Sequence, residues 1–244
     1  MPVKRLKRGM VGIEAAIVLI AFVIVAAALA FVVLNMGFLT TQRSGIVIRS
    51  GLGEASTALE VDGSVLAFSQ KGDVVNYTMI PIKVSPGRHL VDLHPDRASI
   101  LYWSTEAGSY ADIYTAYGYV YYDSGTGNYK VDITKGNTTV TITIGKSINI
   151  TKIWYELVTT QASTFPDDIY AVLIWTDSNQ EPAKKDTNLE IGEKAFILIV
   201  YKGTGVQPTV YQTIKVEVKP PEGATLTVER TMPPGIPKGV IDLG

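Results

Sequence analysis

An unbroken run of twenty apolar residues, at positions 15–34, constrains this chain more than any other feature of its sequence. At a rise of about 1.5 Å per residue, the run forms a helix roughly 30 Å long, which is the thickness of the hydrocarbon layer of a membrane. Only a helix satisfies its own backbone hydrogen bonds in that layer. Apolar residues recur at 46–48 and at Leu52, so we expect helical character to continue to about residue 58.

Four basic residues and no acidic residue precede the apolar run within residues 1–9. Basic residues stay on the cytoplasmic side, so the N-terminus is expected inside and the long C-terminal part outside. Three kinds of segment fit: a secretory signal peptide, a permanent single-pass anchor, and a leader that is cut before the apolar run. The run is too long for an ordinary signal peptide, which has a short apolar core followed by a small-residue cleavage site. A permanent anchor needs no helical extension beyond residue 34.

Residues 7–14, which read KRGMVGIE, separate the two remaining interpretations. The segment resembles the class III signal peptide of archaeal flagellins (archaellins) and, more loosely, that of type IV pilins. The triplet Gly12, Ile13 and Glu14 favours archaellins. In these families a membrane-embedded, prepilin-type signal peptidase cuts after the glycine that follows a basic pair. For Lys7, Arg8, Gly9 and Met10, the resemblance therefore implies cleavage between Gly9 and Met10, with Glu14 as the fifth residue of the mature chain.

Glu14 also has a physical explanation that does not depend on the resemblance. A carboxylate at the centre of a bilayer costs about 3 kcal/mol on insertion scales. In one interpretation, Glu14 lies in the first helical turn near the interface, where the helix dipole favours an acid. In the other, it pairs with the new ammonium group of Met10 when subunits pack in an apolar filament core. We expect the second role, and with it a role in assembly for Gly12, Ile13 and Glu14.

The apolar helix has no polar face, and alanines recur along it between larger apolar residues. Small residues let helices approach each other closely. A helix that is apolar all round must be covered by lipid or by other helices, and the sequence contains only one such helix. Neighbouring helices must then come from other copies of the chain, and head-to-tail repetition without ring closure gives an open helical polymer. A single anchor surrounded by lipid is the alternative.

From residue 61 onward, short β-type runs are separated by turn residues, which predicts an antiparallel sandwich. The fold class expected is therefore α+β: a long N-terminal hydrophobic α-helix followed by an all-β immunoglobulin-like sandwich, the architecture that the archaellin resemblance also implies. The expected domains are a cleaved leader at 1–9, a helix at 10–58 and an outer domain at 61–244. The predicted strands are 74–84, 99–103, 117–123, 138–144, 169–176, 195–201, 212–219, 226–230 and 240–243.

Composition and motifs argue against an enzyme or a nucleic-acid binder. Lys and Arg number 22 against 23 Asp and Glu, so no basic field would attract a polyanion. Cysteine is absent, which excludes disulfides and thiolate chemistry. His89 and His94, the only histidines, are interpreted as solvated loop residues, and G-x-S-x-G does not occur. The sequence predicts no catalytic residue, metal site or cofactor.

Two short segments resemble ligand sites but fail on a required residue. Residues 145–147, GKS, match the end of a phosphate-binding loop, but Val140 stands where the motif requires glycine. Residues 177–181 carry oxygen ligands as a calcium loop would, but Pro182 replaces the glycine that such a loop needs. We interpret the second segment as a hydrated turn.

Three N-glycosylation sequons lie in the part of the chain expected outside the cell. They begin at Asn76, Asn137 and Asn149, and each tripeptide can accept an N-linked glycan on an exported surface. We expect at least one of the three to be modified.

The archaellin resemblance implies a structural subunit of the archaeal flagellum (archaellum), an extracellular filament used for swimming. Its partners would be copies of itself, the membrane before assembly, the prepilin-type signal peptidase, and the motor and assembly proteins of the archaellum. The alternatives are an adhesive type IV pilin of archaea and a monomeric, membrane-anchored β-sandwich binding module. Retention of residues 1–9 in the mature protein would favour the anchored module.

Overall fold

A computed structural model describes residues 8–55, 58–86, 90–176 and 186–244. The chain divides into two compact units, Met1–Gly53 and Glu54–Gly244. The first unit is built on a single helix, α1 (Arg8–Ala55). The second unit, called the body below, is rich in β-sheet, so the predicted order of a long N-terminal helix and a β-rich domain is confirmed.

All nine predicted strands are present in the body, with ends that differ from the predicted ones by at most three residues. β1 starts two residues before the predicted domain boundary at 61, and the amide of Ser85 donates to the carbonyl oxygen of Ala58. The strands are β1 (Leu59–Val61), β2 (Leu66–Ser69), β3 (Tyr77–Val84), β4 (Leu90–Asp92), β5 (Ser99–Ser104), β6 (Gly108–Tyr110), β7 (Tyr114–Asp123), β8 (Asn128–Lys135), β9 (Thr138–Gly145), β10 (Ile169–Trp175), β11 (Asn188–Glu190), β12 (Ala195–Tyr201), β13 (Thr213–Lys219), β14 (Leu226–Thr231) and β15 (Gly239–Asp242), with helix α2 (Ile150–Thr159) between β9 and β10.

The strands that the structure describes form one large sheet and two smaller ones. The large sheet has the order β15-β2-β3-β12-β10-β7-β8-β9, with β1 beside β3. A four-stranded sheet has the order β14-β13-β5-β6, and β4 pairs with β11. The sequence predicted antiparallel pairing throughout, but β7 and β10 are parallel. The chain between them is long enough for the crossover that parallel strands require, because it contains β8, β9 and α2.

The large sheet is covered on both faces, which explains its two central strands. Every residue of β10 and β12 is buried, so these strands are continuously apolar instead of alternating. On one face, Leu173 and Ile199 join a single apolar cluster with Tyr102 and Val216 of the four-stranded sheet. On the other face, Val172 and other residues of the large sheet pack in a second cluster. That second cluster is completed by α2.

Helix α2 is a departure from the all-β domain that we predicted. Asn149 caps its N-terminus, and the side-chain oxygen of Asn149 accepts a hydrogen bond from the amide of Lys152 at 3.2 Å. Ile153, Trp154 and Leu157 are buried against the large sheet. The helical spacing of these residues after a good capping residue was a signal in the sequence. The helix forms because the apolar second face of β10 and β12 needs a cover.

Candidate assembly surface

Most of the large apolar side chains that are exposed in the described structure belong to α1. Side chains from residue 12 to residue 52 are exposed in the single subunit, apart from Gly45, which is half-buried. Phe22 is 76% exposed, Phe31 69% and Phe38 68%. Burying one side chain of this size stabilises a protein by roughly 1.5–3 kcal/mol. Residues Gly12–Leu52 form the only helix of the described chain that is long and apolar enough to cross a membrane.

Four glycines in α1 have no packing partner within the subunit. A Cβ atom built on Gly12, Gly37, Gly45 or Gly51 meets no atom within 4 Å outside the local helix backbone. Each glycine inside a helix destabilises that helix by about 1 kcal/mol relative to alanine. No contact within the described subunit offsets this loss of helix stability. The compensation that fits is a close approach by another helix.

Gly37, Thr41 and Gly45 lie on one face of α1, because they are spaced four residues apart. The Thr41 hydroxyl donates to the carbonyl oxygen of Gly37 at 2.9 Å, so the hydroxyl is satisfied within its own helix. The three residues form a ridge of small side chains, the spacing that lets two helix backbones come together. The alanines were the signal for helix packing in the sequence, but the four-residue spacing of Gly37, Thr41 and Gly45 was a second signal that was missed.

Glu14 lies on a face of α1 with Val18 and Phe22, one and two turns further on. Met10 is one turn before Glu14, about 6 Å along the helix axis. If Met10 were the first residue of the chain, its amino group would lie within about one turn of the Glu14 carboxylate. Gly12 and Ile13 are exposed beside them. The structure places Gly12, Ile13 and Glu14 near the start of α1, and their role in assembly stays a prediction.

The predicted processing site lies at the very beginning of α1. Lys7 is outside the described residues, whereas Arg8, Gly9 and Met10 belong to the first helical turn, where only the backbone is described. The amides of a first turn have no helical partners, so this turn opens more readily than the interior of the helix.

The three sequons differ in how accessible they are in the folded body. Asn137 is exposed in the turn between β8 and β9, and its side chain makes no hydrogen bond with any residue that the structure describes. The side chain of Asn76 accepts a hydrogen bond from the amide of Gln70 at 2.7 Å. Asn149 is exposed, like Asn137, but its side-chain oxygen is engaged as the cap of α2. Asn137 is therefore the best placed of the three to carry a glycan.

The described residues offer no cluster that resembles a catalytic or metal site. No group of three His, Asp or Glu side chains that could hold a metal ion occurs among them. His94 packs against the ring of Tyr117, and its Nδ1 accepts a hydrogen bond from the amide of Asp96. His89 and the segment 177–181 lie outside the described residues.

Comparison with known proteins places these features in a single family. Residues 9–230 match the family described as archaeal-type flagellin. The chain is 42% identical to "Probable flagellin 1" of Aeropyrum pernix over 241 residues, which are 98% of this chain and 100% of that protein. Among solved structures, the archaeal flagellum of Methanospirillum hungatei is 26% identical, with a TM-score of 0.49 and coverage of 94% and 98%. Flagellin FlaB1 of Methanocaldococcus jannaschii shares the fold at 15% identity, with a TM-score of 0.50 and coverage of 76% and 95%.

Proposed function

The chain belongs to the archaeal-type flagellin family, and we propose that α1 builds the core of a filament while the body forms its outer surface. As a member of this family it is a structural subunit of the archaeal flagellar filament, an extracellular structure that serves motility. The observation that carries the arrangement is the exposed apolar circumference of residues 12–52, which needs other helices around it once the subunit has left the lipid.

We further propose that the precursor is inserted in the membrane and cut between Gly9 and Met10 by a prepilin-type signal peptidase. The family match begins at residue 9, and the position of this bond in the first helical turn supports access by a protease. After cleavage, the Met10 ammonium group and the Glu14 carboxylate would compensate each other's charge in the apolar core. Release of residues 1–9 would leave the basic cluster behind and allow the helix to move out of the membrane.

The filament would be turned by a motor complex in the membrane, and the chain itself would have no catalytic activity. The flagellin family is structural, which agrees with this expectation. The partners proposed are other copies of the chain and the motor and assembly proteins at the filament base.

We propose that the body carries N-linked glycans, with occupancy highest at Asn137. Asn137 is exposed and its side chain has no hydrogen-bond partner among the described residues, which supports the ranking. The side-chain oxygens of Asn76 and Asn149 each accept a backbone hydrogen bond that fixes the side chain. Glycopeptide mass spectrometry of filaments from the native host should find Asn137 modified in the largest share of chains. Three unmodified asparagines would contradict the proposal.

Intact-mass measurement on shed filaments tests the processing proposal directly. The mature chain should begin at Met10, and replacing Gly9 by a bulky residue should block processing while membrane insertion continues. Filaments whose subunits retain residues 1–9 would refute the leader. Retained residues in a protein that stays monomeric in the membrane would instead support an anchored binding module.

A further inference from the structure

Strand β9 is a long edge of the large sheet that carries neither a charged residue nor a proline to discourage strand pairing. Within the part of the chain that the structure describes, β9 pairs with β8 on one side and with no strand on the other. Its eight residues, TTVTITIG, contain no charged residue and no proline, and β-branched residues dominate. A register shift leaves Ile144 without an opposite residue on β8, but the pairing is regular from Thr138 to Thr143. Proteins normally shorten such edges or place lysine, proline or a bulge on them, because an open edge recruits strands from other chains.

The other open edges that the structure describes are short or charged. β15, at the opposite edge of the large sheet, is four residues long and ends in Asp242. In the four-stranded sheet, β6 has three residues, and β14 carries Glu229 and Arg230. β9 therefore differs from the other edges of the same body in both length and charge.

Contacts between β8 and β9 identify which backbone groups face the open side. The hydroxyls of Thr134 and Thr139, which are directly opposite each other, are 3.1 Å apart. The Thr141 hydroxyl donates to Oδ1 of Asp132, its opposite residue, at 2.7 Å. Side chains come this close in the pairs that do not exchange backbone hydrogen bonds. In such pairs, the N–H and C=O groups point away from the partner strand.

By the alternation of the ladder, the N–H and C=O groups of Thr139, Thr141 and Thr143 point outward. All three threonines are exposed. The open side of β9 thus presents three donors and three acceptors in a row, at the spacing of an extended strand. A second β-strand is the partner that satisfies such a row.

We propose that β9 pairs through its backbone with a strand of a second copy of this chain in the assembled filament. The proposal rests on the filament function: the chain polymerises, so an open, uncharged edge meets other copies at high local concentration. Pairing of β9 with the same strand of a neighbour would be two-fold symmetric and would close a dimer. Growth of an open polymer therefore requires a different edge strand of the neighbour.

Hydrogen exchange of backbone amides, compared between filaments and subunits dissociated from them, tests the proposal. In dissociated subunits, the outward amides of Thr139, Thr141 and Thr143 should exchange rapidly. In filaments, the peptide that contains residues 138–145 should gain protection at two or three amides, and a second strand should gain protection with it. Intact filaments with equal exchange in both states would overturn the proposal and leave the filament function standing. If no filaments form from the native chain, the filament function itself fails.

Proline at an outward position provides a variant test in the full chain. Thr143→Pro removes one outward N–H without removing a ladder bond to β8, because edge strands accept proline on their open side. Thr143→Ala is the matched control, since it also loses the hydroxyl but keeps the amide. The proline variant should lose the filament-specific protection and raise the free-subunit concentration about tenfold, whereas the alanine variant should resemble the native chain. Equal behaviour of the two variants would overturn the proposal.

The glycan proposed at Asn137 offers another explanation, in which it shields the edge instead of leaving it for a neighbour. Asn137→Gln separates the two. If the edge is paired in the filament, the variant should assemble with the same protection of residues 138–145. If the variant subunits aggregate and native filaments show no added protection there, the edge is merely shielded and the proposal is wrong.

Discussion

Replacing Gly37 by leucine should stabilise the isolated helix and weaken the filament. A Cβ atom at Gly37 meets no atom within 4 Å, so the larger side chain fits the single subunit. Removing a helical glycine stabilises the helix by about 1 kcal/mol, and leucine also favours membrane insertion. If the ridge of Gly37, Thr41 and Gly45 contacts another helix, the new side chain must be forced into a close-packed interface.

The cost of such overpacking is about 1–3 kcal/mol per subunit. Because about 1.4 kcal/mol is a tenfold change in an equilibrium constant, the subunit concentration needed for assembly should rise roughly 5- to 150-fold. Sedimentation of assembled material at a series of subunit concentrations measures this value. Gly37→Ala is the control, because it removes the same helical glycine but adds only one methyl group. A Gly37→Leu chain that assembles at the native concentration, or below it, would refute a close helix contact at this ridge.

Three further predictions concern the fold and the start of the helix. A Cβ atom at Gly118 would lie 2.8 Å from the carbonyl oxygen of Asp132, which is too close. Gly118→Ala should therefore destabilise the body by about 1–3 kcal/mol, as measured by thermal unfolding. Gly205→Ala is the control and should not destabilise it, because a Cβ atom there meets no atom within 4 Å. The hydrogen bond from Lys130 is the main cause that lowers the pKa of Asp123 from 3.8 to about 2. Because this folded-state pKa lies below the unfolded value, the stabilisation by the Asp123–Lys130 pair is complete above about pH 4 and is lost as the pH falls through 2. Asp123→Asn should therefore make the free energy of unfolding less dependent on pH in that window. A native chain whose stability is constant from pH 4 to 2 would contradict this assignment. Glu14→Gln should insert in membranes at least as well as the native chain. Its assembly should require a roughly 100-fold higher subunit concentration, because breaking a buried charge pair costs about 3 kcal/mol. Normal assembly of this variant would indicate that α1 serves only as a membrane anchor.

The sequence predicted the strands well where local pattern and burial agree. β13 alternates because only one of its faces is buried, and β10 and β12 are continuously apolar because both faces are covered. The same continuous runs implied a second covering layer, yet α2 was missed because it lies among threonine-rich residues typical of strands and turns. β8 was missed because only two of its eight residues are buried.

Pairing between strands lay beyond the sequence. The local pattern even points the wrong way: β13 carries Lys215 and Glu217, as an edge would, but lies between two other strands, whereas the uncharged β9 is an edge. Which strand ends a sheet depends on contacts between residues far apart in the chain. The four-residue spacing of Gly37, Thr41 and Gly45, by contrast, was present in the sequence. The structure adds that Gly37 and Gly45 have no packing partner within the subunit, which indicates a contact with another helix.

The most direct test of the account is a helical reconstruction of native filaments by electron cryomicroscopy. The account predicts that residues 12–52 of neighbouring subunits pack together around the filament axis, that the side chains exposed in the single subunit become buried there, and that density begins at Met10. The bodies should form the outer layer. Filaments held together by the bodies alone, with the apolar helices absent from the axis or still carrying residues 1–9, would contradict it.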